Sequence, residues 1–460
     1  MANDYLGNEI TAQNPATIAA INDFIRGVLG YELIVTNILA AADAEDDTLV
    51  NAYAAMLWLL SETGREPVEA RAYITRAEAG SARANARELA TLRAVKLWAE
   101  GDPAAAEAEA LAELARSPRD LALLKYAHYF QFSRGDAPAM VRSALISLPA
   151  APENAHLHGL LAFAYEQAFL LKEAEAAARR ALELQPDEGW AQHALAHVLL
   201  TAGRVEEGVA FLEPLTGGWD KFISFLYTHL WWHLAVFYLA EGRFNEGLEI
   251  YDRHVWAKDK TFSQDQIGAV SLLARLEFAG ADVGNRWAEL GQWLAARKAD
   301  IAQPFLSVQY LYGLARAGQP EADELLAAIR TAPQAAPAES REAWAKAGVT
   351  LAEGLLAHAR GDFAAAAEKL EPATALIAGL GGSHAQRGLF HIFLVDSLIK
   401  GGQPGRAQLI LERQRAGFPD DVPLNRKLEG LYTALGLPAQ AEAARARTEA
   451  AAQRFARASA

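Results

Sequence analysis

Residues 155–186 read AHLHGLLAFAYEQAFLLKEAEAAARRALELQP. Leu161 and Ala162 form a large-then-small pair, Tyr165 follows as an aromatic, and Ala174 and Ala181 are small residues placed for a close helix crossing. Pro186 then ends the segment, because proline cannot continue a helix. Small residues let two helices approach closely, and large ones fill the gap to the neighbour. The stretch therefore reads as one helical hairpin.

The hairpin recurs. Pro118 in LARSPRD and Pro186 in LELQPDE stand two steps of 34 residues apart, and 34 is the tetratricopeptide period. Units starting at Arg87, Leu121, Ala155 and Gly189 keep that step, and the next starts at Thr228 after five extra residues near TGGWDK. The Thr228 unit fits through Trp231, Leu234, Ala235, Tyr238, Gly247 and Tyr251, with Trp231 expected to lock one hairpin to the next. Short breaks punctuate the chain: AEGDPAAA, SRGDAPAM, TAGRVEEG, AEGRFNEG and ARGDFAAA. Each puts a glycine where a helix needs a left-handed cap before the next helix starts. Weaker hairpins are expected around Gly361 and Gly402, and TAPQAAPAES (331–340) as a loose connection. Strand signals are nearly absent. The expected fold is all-α: a right-handed α-solenoid of tetratricopeptide-type hairpins forming one domain over 1–460. Its clearest units cover about 87–254, with degenerate repeats over 1–86 and 255–460.

Composition narrows the function. The 460 residues are 52% hydrophobic and 22% charged, enough apolar content for a large core. The net charge of −14 and the lack of a basic stripe argue against a nucleic-acid partner. Cysteine is absent, which excludes disulfides, zinc–thiolate sites and cysteine nucleophiles. No secretory signal is visible at the start, so a cytoplasmic location is expected. The run FISFLYTHLWWHLAVFYLA (222–240) is barely long enough to span a bilayer. It contains two histidines and is flanked by Asp220 and Glu241, so it reads as a buried helix and no membrane partner is expected.

In the repeat register, unit positions 2, 5, 9 and 12 of each first helix share one stripe facing a concave groove. The Ala155 unit presents His156, Gly159, Phe163 and Glu166; the Gly189 unit presents Trp190, His193, His197 and Leu200. The Thr228 unit presents His229, Trp232 and Val236, with His233 one step round. Seven of the eleven histidines fall between His156 and His254.

Three readings compete. His193/His197 and His229/His233 have the i, i+4 spacing of metal-binding imidazoles, but HALAH lacks the glutamate of H-E-x-x-H and no carboxylate is paired locally. Alternatively, tryptophan area and histidine hydrogen bonding line a pocket for a small molecule or short peptide. The third reading is core histidines satisfied by their neighbours. Five or six on one face favour the pocket, with no metal and no cofactor. Elsewhere, IYDRHVW puts Asp252 and His254 on a second helix at a spacing that does not face them together. LGGSHAQRGLF (380–390) offers Ser383 as N-cap and Gln386 as its capping-box partner. His384, Gln386 and Arg387 there lie in a first turn that could also meet an anion. No nucleophile elbow, Walker or Rossmann pattern is present.

The segments WAQHALAHVLLTAGRVEEGVAFLE, THLWWHLAVFYLAEGRFNEGLEIYDRHV, RWAEL (286–290) and GGSHAQRGLF follow one another in this chain. In that combination the sequence resembles the tetratricopeptide repeat protein 38-like family over most of its length. The resemblance implies a full-length, cytosolic helical-repeat protein and no biochemical activity to carry over. It implies shared polar positions at His193, His197, the histidine–aromatic–tryptophan–histidine at the end of HLWWH, Tyr251, Asp252, His254 and Gly381 to Arg387. It also implies an aspartate after that arginine, where this chain has Gly388. The expected function is binding of a small molecule or short peptide by His156, Trp190, His193, His197, His229, Trp232 and His233, with Asp252, His254, His384, Gln386 and Arg387 contributing. The alternatives are an enzyme using the histidines for acid–base or metal-assisted chemistry, and a scaffold for a protein partner.

Overall fold

A computed structural model describes residues 2–62 and 68–458. Two-residue strands, Ala2–Asn3 and Glu9–Ile10, pair antiparallel at the start. Among the described residues the rest of the regular elements are helical, as the 3.6-residue patterning requires. Helix α1 is Pro15–Gly30, followed by α2 Thr48–Leu59 with α3 Val68–Gly80, and α4 Ala86–Ala99 with α5 Pro103–Arg116. Then come α6 Leu121–Ser133 with α7 Ala137–Ser147, α8 Ala155–Gln167 with α9 Leu171–Leu184, and α10 Gly189–Thr201 with α11 Val205–Leu212. Next are α12 Ser224–Glu241 with α13 Phe244–Ile250, α14 Ser263–Ala279 with α15 Arg286–Leu294, and α16 Pro304–Arg316 with α17 Glu321–Ala335. The last are α18 Val349–Ala359 with α19 Phe363–Thr374, α20 His384–Lys400 with α21 Pro404–Gly417, and α22 Val422–Ala434 with α23 Pro438–Ala458. Short helices Asn37–Ala44 and Ala338–Ala343 stand outside this pairing.

The helix ends follow from their residues. Asp120, Asn154, Asp362 and Ser383 each accept a backbone N–H in the first turn of the helix they precede. Gly101, Gly135, Gly203, Gly242 and Gly361 all have φ between +69° and +84°. After Gly101, the Asp102 N–H closes back on the Leu97 carbonyl, which satisfies an orphan acceptor of α4. The five extra residues before the Thr228 unit lie in a 3-10 segment, Glu213–Lys221. TAPQAAPAES departs from expectation: α17 runs through Pro333 to Ala335, and the next helix begins at Ala338. Alanine's helix propensity leaves only a two-residue break there.

The chain divides into two compact units. The first comprises Met1–Leu195, Gly218–Leu226 and Pro337–Glu339; the second comprises Ala196–Gly217, Tyr227–Ala336 and Ser340–Ala460. Within each, hairpin helices pack on their partners and on the next hairpin. The small crossing residues Ala174 and Ala181 are fully buried. In the second unit, a Cβ on Gly208 would fall 2.3 Å from the Phe237 ring, so α11 and α12 meet with backbone against ring. No described helix is long and apolar enough to cross a membrane.

Two glycine substitutions separate packing from conformation. Gly208→Ala collides with Phe237 and is expected to lower stability by about 2 kcal/mol. Gly101→Ala meets no atom within 4 Å and bears only its left-handed φ of +84°, with an expected cost of about 1 kcal/mol. Urea denaturation midpoints check both, and equal effects would contradict the packing account.

Candidate functional site

The first unit holds His156, Trp190 and His193. Asn154 caps α8 by accepting the Leu157 N–H, which sets His156 in the first turn. The His156 Nδ1–H donates to Glu188 Oε1 at 2.9 Å, and Glu188 also accepts the Ala191 N–H at the start of α10. One carboxylate thereby caps α10 and fixes the imidazole. Trp190 lies 4.8 Å from the rings of Phe163 and Tyr31 and 4.4 Å from His193. The Lys125 ammonium sits over Tyr31 at 3.9 Å and over Trp190 at 4.1 Å. Burial among these groups pushes its pKa down to about 7, against the pull of Glu188. The two ring faces also favour the charged form.

The second unit holds His197, His229, Trp232 and His233, all buried. His197 follows His193 by one turn of α10, and His229, Trp232 and His233 come from α12. Ring centroids of His197 and His233 are 4.4 Å apart, and those of His229 and His233 are 4.7 Å apart. One nitrogen from each of the three imidazoles lies within 4.8 Å of the others. Trp232 stacks on His229 at 5.3 Å and 9°. Burial pushes the His229 pKa down to about 3. His197 is lowered by burial first, then by His229 and His384. His233 is lowered by burial, then by His197, His229 and Arg275. The imidazoles are therefore neutral at pH 7, each with one donor and one acceptor nitrogen.

Arg275 of α14 completes this cluster. Its guanidinium lies 5.3 Å from the Trp232 ring, and its Nη2 donates to the Ala385 carbonyl at 2.5 Å. Burial lowers its pKa to about 9. At the start of α20, Arg387 is buried and donates to the Gly381 and Gly382 carbonyls and, at 3.0 Å, to His384 Nδ1. Gln386 closes the capping box with Ser383. A Cβ on Gly382 would stand 2.4 Å from Phe305, so only glycine fits that turn.

Two expected residues lie elsewhere. Asp252 is exposed and bound by Arg286 through contacts of 2.8 and 2.6 Å, so it does not join the imidazoles. It sits in a π-helical turn, Tyr251–Val255, which shifts the helical register that sequence spacing assumes. His254, in the same turn, is hydrogen-bonded to the Tyr227 hydroxyl at 2.7 Å and stacked on Trp231 at 3.7 Å. Spacing alone did not single out Lys125 or Arg275. Both are lone cations inside apolar helical runs, LALLKYAHYF and IGAVSLLARLEF, and that is the signal that could have found them. A separate cleft of about 400 Å³, lined by Glu277, Trp287 and Arg316 among others, contains none of the expected site residues.

Three close imidazoles suit a divalent metal by geometry. The electrostatics oppose it: a dication would enter beside the Arg275 guanidinium with no carboxylate in the cluster to balance it. The same surroundings favour a neutral polar or anionic group.

The profile of the tetratricopeptide repeat matches residues 155–188, which are the α8–α9 hairpin and its exit turn. Among solved structures, the human IFIT1 dimer with PPP-AAAA is 14% identical, with 97% of this chain and 96% of that chain covered and a TM-score of 0.43. Naa15/Naa10 bound to HypK-THB is 14% identical, with 93% and 67% covered and a TM-score of 0.26. The P58(IPK) TPR domain is 14% identical, with 81% and 98% covered and a TM-score of 0.20. Likenesses this distant transfer no ligand and no partner. The chain is thus an all-α protein carrying a tetratricopeptide-type repeat.

Proposed function

We propose that this chain is a cytoplasmic binding protein of the tetratricopeptide repeat protein 38-like kind. Its ligand is a small molecule or short peptide held in the second unit by His197, His229, Trp232 and His233, with Arg275 beside them. The observation that carries the reading is the burial of three neutral imidazoles within 4.8 Å of one another next to a buried guanidinium. Packing alone is better served by leucine, because burying polar groups carries a desolvation cost.

The chemistry favours binding over catalysis. A general base works best with a pKa near the working pH, whereas burial holds His229 near 3. It also favours binding over a pure scaffold, since a protein partner reads exposed residues and these are buried.

Native mass spectrometry with metal analysis of the purified protein is expected to show a bound organic mass without stoichiometric metal. That mass should be lost from the double variant His197→Asn, His229→Asn. Stoichiometric metal, or partner pull-downs as the sole activity and unchanged in that variant, would refute the reading.

The neutral imidazoles also set a pH dependence. In the unfolded chain His229 binds a proton near pH 6.5, and in the folded chain only near 3. Between those values the unfolded state holds more protons, so stability present above pH 6.5 falls on acidification, by about 1.4 kcal/mol per pH unit for each such histidine. His229→Asn should flatten that slope by about one proton in urea denaturation between pH 7 and 4.5.

A further inference from the structure

Helix α14 carries a polar stripe within its apolar sequence. Gly268, Ser271 and Arg275 stand at i, i+3 and i+7 and so share one face. Ser271 is 3% exposed and Arg275 is 7% exposed. The Ser271 hydroxyl and the Arg275 Nη1 are both buried without a hydrogen-bond partner. A helical serine ordinarily returns its hydroxyl to the carbonyl four residues back, as Ser307 does to Gln303 at 3.0 Å. Ser271 does not.

Arg87 gives a contrast in charge pairing, although its own Nε is also unbonded. Arg87, in the first unit, is flanked by Asp120 at 2.6 Å and Asp4 at 3.5 Å. Arg275 pairs with no carboxylate among the described residues; its protein acceptors are the carbonyls of Ala385 and Gln386. A buried guanidinium with no counter-charge is costly by itself and is relieved by an anion.

There is room for one. A Cβ built on Gly268 would meet no atom within 4 Å beyond its own helix, and one built on Gly388 would meet only Arg275 Nη2, at 3.7 Å. Helices α14 and α20 pack together, and the missing side chain at Gly388 thus leaves a gap beside Arg275 Nη2, while Ser271 Oγ and Arg275 Nη1 are themselves fully buried. His233 is near enough to feel the Arg275 charge. Ser271, Arg275 and His233 together supply donors and one cation and no acid.

We infer that Ser271 and Arg275 receive an oxyanion group of the ligand, a carboxylate or a phosphate, in the space that Gly388 leaves open. The guanidinium offers a planar donor fork matched to either group, and the serine hydroxyl supplies a further donor one turn away. The inference rests on the ligand-binding reading of the adjoining imidazoles and names the charge of what they bind.

The geometry supplies its own plug. An aspartate at 388 would put a carboxylate within reach of Arg275 and act as a built-in anion. The test measures the Tm of the full chain in sodium phosphate and in sodium succinate, against sodium chloride at equal ionic strength. Wild type should show a saturable rise of about 2 °C or more with phosphate or succinate, and the more effective salt identifies the group. Gly388→Asp should melt above wild type in chloride and lose the response to both anions. Arg275→Met should also lose the response, with folding checked by circular dichroism; Gly388→Asp decides the matter if that variant does not fold. No shift from either anion in wild type, or a shift that survives in Gly388→Asp, overturns the inference. If the anions fail while the bound mass still depends on His197 and His229, the oxyanion assignment falls and the binding reading stands. If both are lost, both fall.

Discussion

Close approach of helix backbone to the side chains of neighbouring helices is the constraint on which the architecture depends. Gly208 under Phe237, and Gly247 against Leu239 at 2.8 Å, admit no side chain. Ala174 and Ala181 do the same work within α8–α9. Helices held at such distances cannot rotate freely about their axes, because each turn is keyed to a neighbour's side chain. The face that a first helix presents is therefore set by its register. In this way a sequence period becomes a chemical arrangement, with histidines of α10 and α12 aimed from fixed positions.

The chain buries charge in two ways. Around Arg87, carboxylates from Asp4 and Asp120 neutralise the guanidinium, and the group is structural. Around Arg275 the protein supplies carbonyls, an aromatic face and imidazoles, which solvate the charge without neutralising it. The first arrangement balances its charge within the chain, although Arg87 Nε has no hydrogen-bond partner. The second leaves unbonded donors at Ser271 and Arg275 and no carboxylate counter-charge among the described residues.

Much of this was legible in the residues. Helices begin at Leu121, Ala155 and Gly189 where the 34-residue count places them, and the glycines of the punctuating breaks take the left-handed conformation their position demands. His156, Trp190, His193, His197, His229, Trp232 and His233 are all buried. The first three lie in one compact unit and the other four in the second. Legibility ended where the period did. Asp252 lies in a π turn, paired with Arg286 and apart from the imidazoles. Arg275 and Ser271 sit on α14, beyond the clear repeats, where no register pointed to a face. Their importance comes from missing partners, which only three-dimensional neighbours reveal. TAPQAAPAES looked loose from its prolines, but helix propensity and burial at Ala332 and Ala336 outweighed them.

Lys125 has a consequence of its own. Its ammonium bridges the faces of Tyr31 and Trp190, and burial brings its proton affinity to about neutrality. The bridge between the two rings exists as a cation–π contact only while the proton is on. Burial opposes the proton, and Glu188 and the two ring faces favour it, so the clasp is a balance of these effects. The first unit thus ties an aromatic contact to the retention of one buried proton.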